Sequence, residues 1–294
     1  MAGAADWITI RAPGLSATLD PQGAQLSILR DGAGRDLLWN GDPAVWAGRA
    51  PILFPIVGML RDGQYRSGGA RYALPRHGFA RNRRFTLTER GPSSVTLRLS
   101  ADAQTRAVYP FEFELDVNFS IEEASLTVTS WIRNRGREVM PASLGYHPAF
   151  TWPLPYGEPR SAHFIEFETE EPAPLRCLDE TGLLRPEPQA TPVEHRRLSL
   201  RDELFAHDAL IFDRLSSRTV TYGGEVGPRI AVSFPGVPYL GIWTKPGAGF
   251  ICIEPWQGLT DPQGFDGDLE DKPGTLRVAP GAAAAVGMRI TLLP

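Results

Sequence analysis

Apolar residues recur at every second position over long stretches of this chain, and that period of two narrows its fold more than any other feature. Phe111, Phe113, Leu115, Val117, Phe119 and Ile121 alternate with mostly polar neighbours, as in a strand with one buried face. After Glu122, Glu123 and Ala124 the pattern resumes at Leu126, Val128 and Ile132, which predicts a hairpin or meander. Weaker alternation marks residues 7–11, 85–90, 95–99 and 289–293, and 30 glycines with 27 prolines supply turns between them. No stretch reads as an amphipathic helix, a fixed-period repeat or a linker, and residues 170–192, rich in Pro and Glu, read as irregular. The expectation is all-β: one large single-domain β-sandwich over residues 1–294.

Composition bounds the partners. The 294 residues are 42% apolar, enough for a large core. A formal charge of −4, from 30 basic and 34 acidic residues, gives no positive field for phosphate backbones, so no nucleic-acid partner is expected. No charged-then-apolar leader follows Met1 and no apolar run approaches membrane-spanning length, so the expectation is no membrane partner and a cytoplasmic protein. Cys177 and Cys252 are far apart with no CxxC and read as reduced thiols, Cys252 as a buried small hydrophobe. Exposed edge strands permit a monomer or a homodimer.

Two segments break the alternation. Residues 51–60, PILFPIVGML, are almost continuously apolar yet hold two prolines and a glycine, the mark of a buried irregular segment. Residues 250–253 are continuously apolar and lead to Glu254, Pro255 and Trp256, which reads as a buried strand delivering a carboxylate at its end. Poor hydration there would raise the pKa of Glu254 and fit it for general-base work, although a salt-bridged structural carboxylate has the same signature.

His147 sits between Gly145 and Pro148, and His77 between Arg76 and Gly78. Each alone is more often a satisfied polar residue than a catalyst; together they say more, and His163, His195 and His207 lack such a frame. There is no HxxxH, HExxH or HxH pair, so no metal is expected. GxGxxG, GxxxxGK[ST] and GxSxG are also missing, which argues against a nucleotide cofactor and a serine hydrolase. Trp256 and Trp243 offer flat faces that stack on sugar rings, with core packing the preferred reading for Trp243. Arg49 and Asp208 adjoin apolar segments and read singly as ordinary surface charges.

Taken in order, PILFPIVG after Arg49, Arg76-His77-Gly78-Phe79-Ala80-Arg81, Gly145-Tyr146-His147-Pro148-Ala149-Phe150, and Ile253-Glu254-Pro255-Trp256-Gln257-Gly258 with Asp261 resemble the aldose 1-epimerase (galactose mutarotase) family, in particular its LacX-like bacterial branch. The resemblance implies a β-supersandwich with a sugar in a cleft and no cofactor. By position in the motifs, Glu254 looks like the general base, His147 the general acid, His77 a second active-site histidine, and Arg49 and Asp208 substrate-binding residues. Gly48 stands where galactose-type mutarotases carry Asn, which removes a hydroxyl contact. The implied reaction interconverts α and β anomers: Glu254 takes the proton of the C1 hydroxyl, protonated His147 supplies one to the ring oxygen, and reclosure reverses the roles.

Three other readings stay open. Arg76, Arg81, Arg83 and Arg84 motivate a hexose-6-phosphate 1-epimerase, because Arg81 and Arg83 would share one face of a strand and clamp a phosphate; a charged edge strand is the plainer reading. A catalytically silent sugar-binding or sensing protein would keep the fold and lose turnover. A glycoside hydrolase fits less well, since its chemistry usually calls for two carboxylates.

Overall fold

The long alternating stretch forms the hairpin its pattern predicts. Strands Phe113–Glu122 and Ser125–Asn134 pair antiparallel, joined through Glu123 and Ala124, with Glu123 at φ +52°. Leu126 lies opposite Ile121 and Val128 opposite Phe119, and all four are buried. The other face of the hairpin is polar, with Asp116 held by Arg98 and Arg133. The structure, a computed structural model, describes residues 6–294; residues 1–5, on which the reading of a leader bears, lie outside the described residues.

This hairpin belongs to a nine-stranded antiparallel sheet that also takes in, at its middle, the C-terminal strand Ala283–Leu293 and, at one edge, the predicted strands Thr86–Arg90 and Ser94–Ser100. A second sheet of six strands centres on Phe250–Gln257, flanked by Tyr239–Trp243 on one side and by Leu144–Tyr146 and Ala149–Thr151 on the other. The two sheets share one apolar core. Phe113 of the first packs on Phe54, which follows the second sheet's edge strand Ile52–Leu53, at 5.2 Å between ring centroids. Tyr146, fully buried, donates from its hydroxyl to the Val286 carbonyl at 2.7 Å. A three-stranded sheet, Ile8–Ala12, Leu15–Asp20 and Gln25–Asp31, adds to the same core. The all-β expectation holds, and no helix among the described residues is long and apolar enough to cross a membrane.

Three local readings change. A six-residue helix, Ala103–Val108, is present; Asp102 and Thr105 form its capping box, and it is too short for periodicity to register. Residues 76–84 are not a strand. His77 and Gly78 both have positive φ, and the N–H groups of Phe79 and Ala80 both donate to the Phe54 carbonyl, turning the chain into the single 3₁₀ turn Ala80–Asn82. Arg81 and Arg83 therefore share no strand face. Glu254 is not at a strand end either, because the strand continues to Gln257. Pro255 is tolerated there because the strand next to it is interrupted: Cys252 pairs with Ala149, the Ile253 N–H donates to the Pro148 carbonyl and Trp256 pairs with Gly145, leaving Glu254 and Pro255 without a ladder partner on that side.

Candidate active site

Alternation along Phe250–Gln257 divides that strand between two jobs. Ile251 and Ile253 enter the core between the sheets, so Cys252, Glu254 and Trp256 share the opposite face. That face floors a cavity of about 200 Å³ whose walls come from loops, with Trp46, Arg76, His77, Asp208, Leu178 and Gly182 among them. The irregular residues 170–192 thus supply one wall.

Glu254 is 1% exposed. Its Oε2 lies 3.2 Å from His147 Nε2 and accepts a hydrogen bond of 3.2 Å from the indole Nε1 of Trp256. Oε1 has no protein partner among the described residues. Burial pushes the Glu254 carboxyl well above its ordinary range, only partly offset by the indole donor. The same burial lowers His147 to about 3. Both shifts disfavour separated charges, so the pair holds its one proton as a neutral carboxyl beside a neutral imidazole, where the resemblance implied a standing imidazolium.

Trp46 stacks on His147 at 5.1 Å and 27°, and Trp243 meets it edge-on at 5.8 Å. His77 adds its ring at 6.0 Å. His77 Nδ1 accepts from the backbone N–H of Gly58 at 3.0 Å. An amide N–H only donates, so the neutral ring carries its proton on Nε2. Burial and the neighbouring His147 hold His77 well below the ordinary histidine range, which keeps that tautomer at neutral pH. His77 (φ +66°) and Asp208 (φ +80°) are both left-handed non-glycine residues of the cavity wall, a strain that persists only where the surroundings impose it.

Asp208 meets Arg76 at the rim, 3.5 Å apart. Arg81 also lines the cavity, its Nη2 donating to the Arg76 carbonyl. Arg83 and Arg84 turn away, toward Asp102 and Asp6. Arg49 lies outside the cavity: its guanidinium packs on Trp7 at 5.4 Å and donates to the Ser27 carbonyl at 2.7 Å, so side-chain contacts with the N-terminal segment claim it. Gly48 has a different task as well, since a Cβ there would lie 2.4 Å from the Trp46 ring. Trp256 is 6% exposed and serves Glu254 through its N–H more than it offers a stacking face. Trp243, read as core, is half-buried in the wall. Sequence reasoning missed Trp46, whose signal is a large aromatic in a loop with no alternation around it.

One ligand atom each from His147, Cys252 and Glu254 lies within 4.8 Å of the others. Histidine and carboxylate already satisfy each other there, and burial pushes the Cys252 thiol well up. The arrangement is that of a proton-sharing pair above a neutral thiol.

Comparison with known proteins identifies the family and the fold. The profile of the family described as Aldose 1-epimerase matches residues 6–266. The chain is 36% identical to the chromosomal protein LacX of Lactococcus lactis over 281 residues, 92% of this chain and 94% of that one. A galactose mutarotase related enzyme from Lactobacillus acidophilus superimposes with a TM-score of 0.89 at 30% identity, covering 98% of this chain and 97% of that one. A galactose mutarotase-like protein from Lactobacillus casei gives 0.90 at 29% identity, covering 98% and 100%. On its sequence match across most of its length and its shared architecture, the chain belongs to the aldose 1-epimerase family.

Proposed function

We propose that this protein is an aldose 1-epimerase acting on a free monosaccharide in the cytoplasm. The observation that carries the reading is the buried Glu254–His147 pair at the cavity floor, with both protein contacts of the carboxyl on Oε2 and Oε1 left free. Opening a cyclic hemiacetal removes a proton from the C1 hydroxyl and adds one to the ring oxygen. A pair that holds one proton and can pass it either way matches that demand. Glu254 first passes its proton to His147 across the 3.2 Å contact; the carboxylate then accepts the C1 hydroxyl proton as the imidazolium delivers one to the ring oxygen, and the aldehyde turns about C1–C2 and closes by the reverse transfer. C1 has the same oxidation state in both anomers, so the steps call for no redox cofactor. The Nε2–H of His77 donates to an oxygen that gains charge on opening, and Asp208 accepts from a sugar hydroxyl. At about 200 Å³ the cavity is below the ~300–1,000 Å³ of sites for drug-sized ligands, a size suited to one sugar ring. Two free thiols, Cys177 and Cys252, fit a reducing compartment.

Polarimetry of freshly dissolved α-D-glucose and α-D-galactose tests the proposal. The protein should accelerate mutarotation of at least one, and Glu254→Gln should lower that rate by about 10²–10⁴-fold. Sugar binding without acceleration would leave a sugar-binding protein in place of an enzyme.

Arg81 favours a second reading, an aldose carrying an anionic group such as a hexose 6-phosphate. It is half-buried in the wall, and no carboxylate lies within ion-pair distance of it among the described residues, whereas Arg76 has Asp208. Burial and the Arg76 charge lower its pKa, so an anion would relieve an unfavourable site. If this reading holds, glucose 6-phosphate outpaces glucose and Arg81→Gln removes that advantage while leaving the rate with glucose in place.

A further inference from the structure

A buried ion pair outside the cavity is wired to its wall. Lys272 is 3% exposed, and its Nζ lies 2.8 Å from Asp261 Oδ1, also buried. An ammonium taken this far from water gains little stability from one partner, and burial lowers its pKa. What the pair does hold is geometry. The second oxygen of Asp261 accepts from the backbone N–H of Arg61 at 2.9 Å. Its own N–H donates to the Met59 carbonyl at 2.9 Å. Next to it, Thr260 Oγ1 accepts from the Met59 N–H at 2.9 Å and donates to the Gly182 carbonyl at 2.7 Å. Met59 and Arg61, at the two ends of residues 59–61, are thereby tied to residues 260–261.

The residue before this tied segment is Gly58, which holds His77 by two bonds: its N–H to Nδ1 at 3.0 Å and its carbonyl from the His77 N–H at 2.8 Å. There is no slack in between, since a Cβ on Gly58 would lie 2.3 Å from the Thr260 side chain. His77 itself sits at φ +66°, a conformation that must be imposed from outside.

We propose that Lys272 is a positioning residue of the active site: it fixes Asp261, which clamps residues 59–61 and so sets the place and tautomer of His77. The functional part of this inference rests on the epimerase reading; the structural part does not. Two variants test it in protein labelled with ¹⁵N-histidine, using long-range ¹H–¹⁵N spectra, with His77→Gln assigning its ring among the five histidines. Lys272→Met leaves Asp261 as a lone buried charge and should abolish the single Nε2–H tautomer of His77. Where an aldose is turned over, it should also slow turnover on the order of tenfold with KM within about twofold. Lys272→Met with Asp261→Asn removes both charges yet keeps an oxygen for the Arg61 N–H, and should restore both the spectrum and the rate. Unchanged His77 signals in Lys272→Met, or signals still lost in the folded double variant, would overturn the proposal. The spectra decide it even if no aldose is turned over.

Discussion

At the scale of single residues, the shared proton of Glu254 and His147 would set the pH behaviour of the proposed reaction. An exposed pair of this kind would work only between its carboxylate near ~4.3 and its imidazole near ~6.5. Here the active form carries one proton on the pair. It gains a second only as His147 titrates, lowered to about 3 by burial, and loses the first only above the raised Glu254 pKa. Both limits move outward, and they belong to the pair, not to either residue alone. The expected profile of kcat/KM therefore falls less between about pH 5 and 7 than that of an exposed pair, which would lose more than half its activity there; a loss that large would contradict the neutral pair. Trp46→Ala, which admits water beside His147, should narrow the plateau from both sides.

Among the strands, two glycines make room for the indole that serves Glu254. Gly241 faces Glu254 across Tyr239–Trp243, and Gly145 faces Trp256 across the other neighbour. A Cβ at Gly241 would sit 2.4 Å from the Trp256 ring. Gly241→Ala should cost about 1–3 kcal/mol of stability through overpacking and lower kcat as the indole N–H leaves Oε2. Gly249→Ala, whose Cβ would lie a comfortable 3.6 Å from Trp39, is the control that should do neither. The strands were largely legible because alternation reports a buried face directly, as at Phe113–Glu122. Less visible was what depends on turns. The left-handed His77 bends residues 76–81 into the cavity wall, and nothing in an Arg-His-Gly run declares that. Arg49 lay near a motif in sequence, yet the Trp7 ring and the Ser27 carbonyl draw it elsewhere. Trp46 escaped notice because loops carry no period.

For the whole molecule, the apolar core runs without a break from Ile8 to Ile290 and takes residues from the two large sheets and the N-terminal sheet. We propose that residues 6–294 unfold as one cooperative unit. Calorimetry should give a single transition with equal calorimetric and van't Hoff enthalpies; two resolved transitions would divide the chain. The strand Phe250–Gln257 joins that core to the chemistry by parity alone, Ile251 and Ile253 inward, Glu254 outward. One residue inserted after Ile253 would turn the acid into the sandwich and leave the inserted residue facing the cavity in its place. Redesign of the cavity can thus vary the loops around Leu178 and Asp208 in length, but must keep Trp46 against His147 and transplant this strand letter for letter.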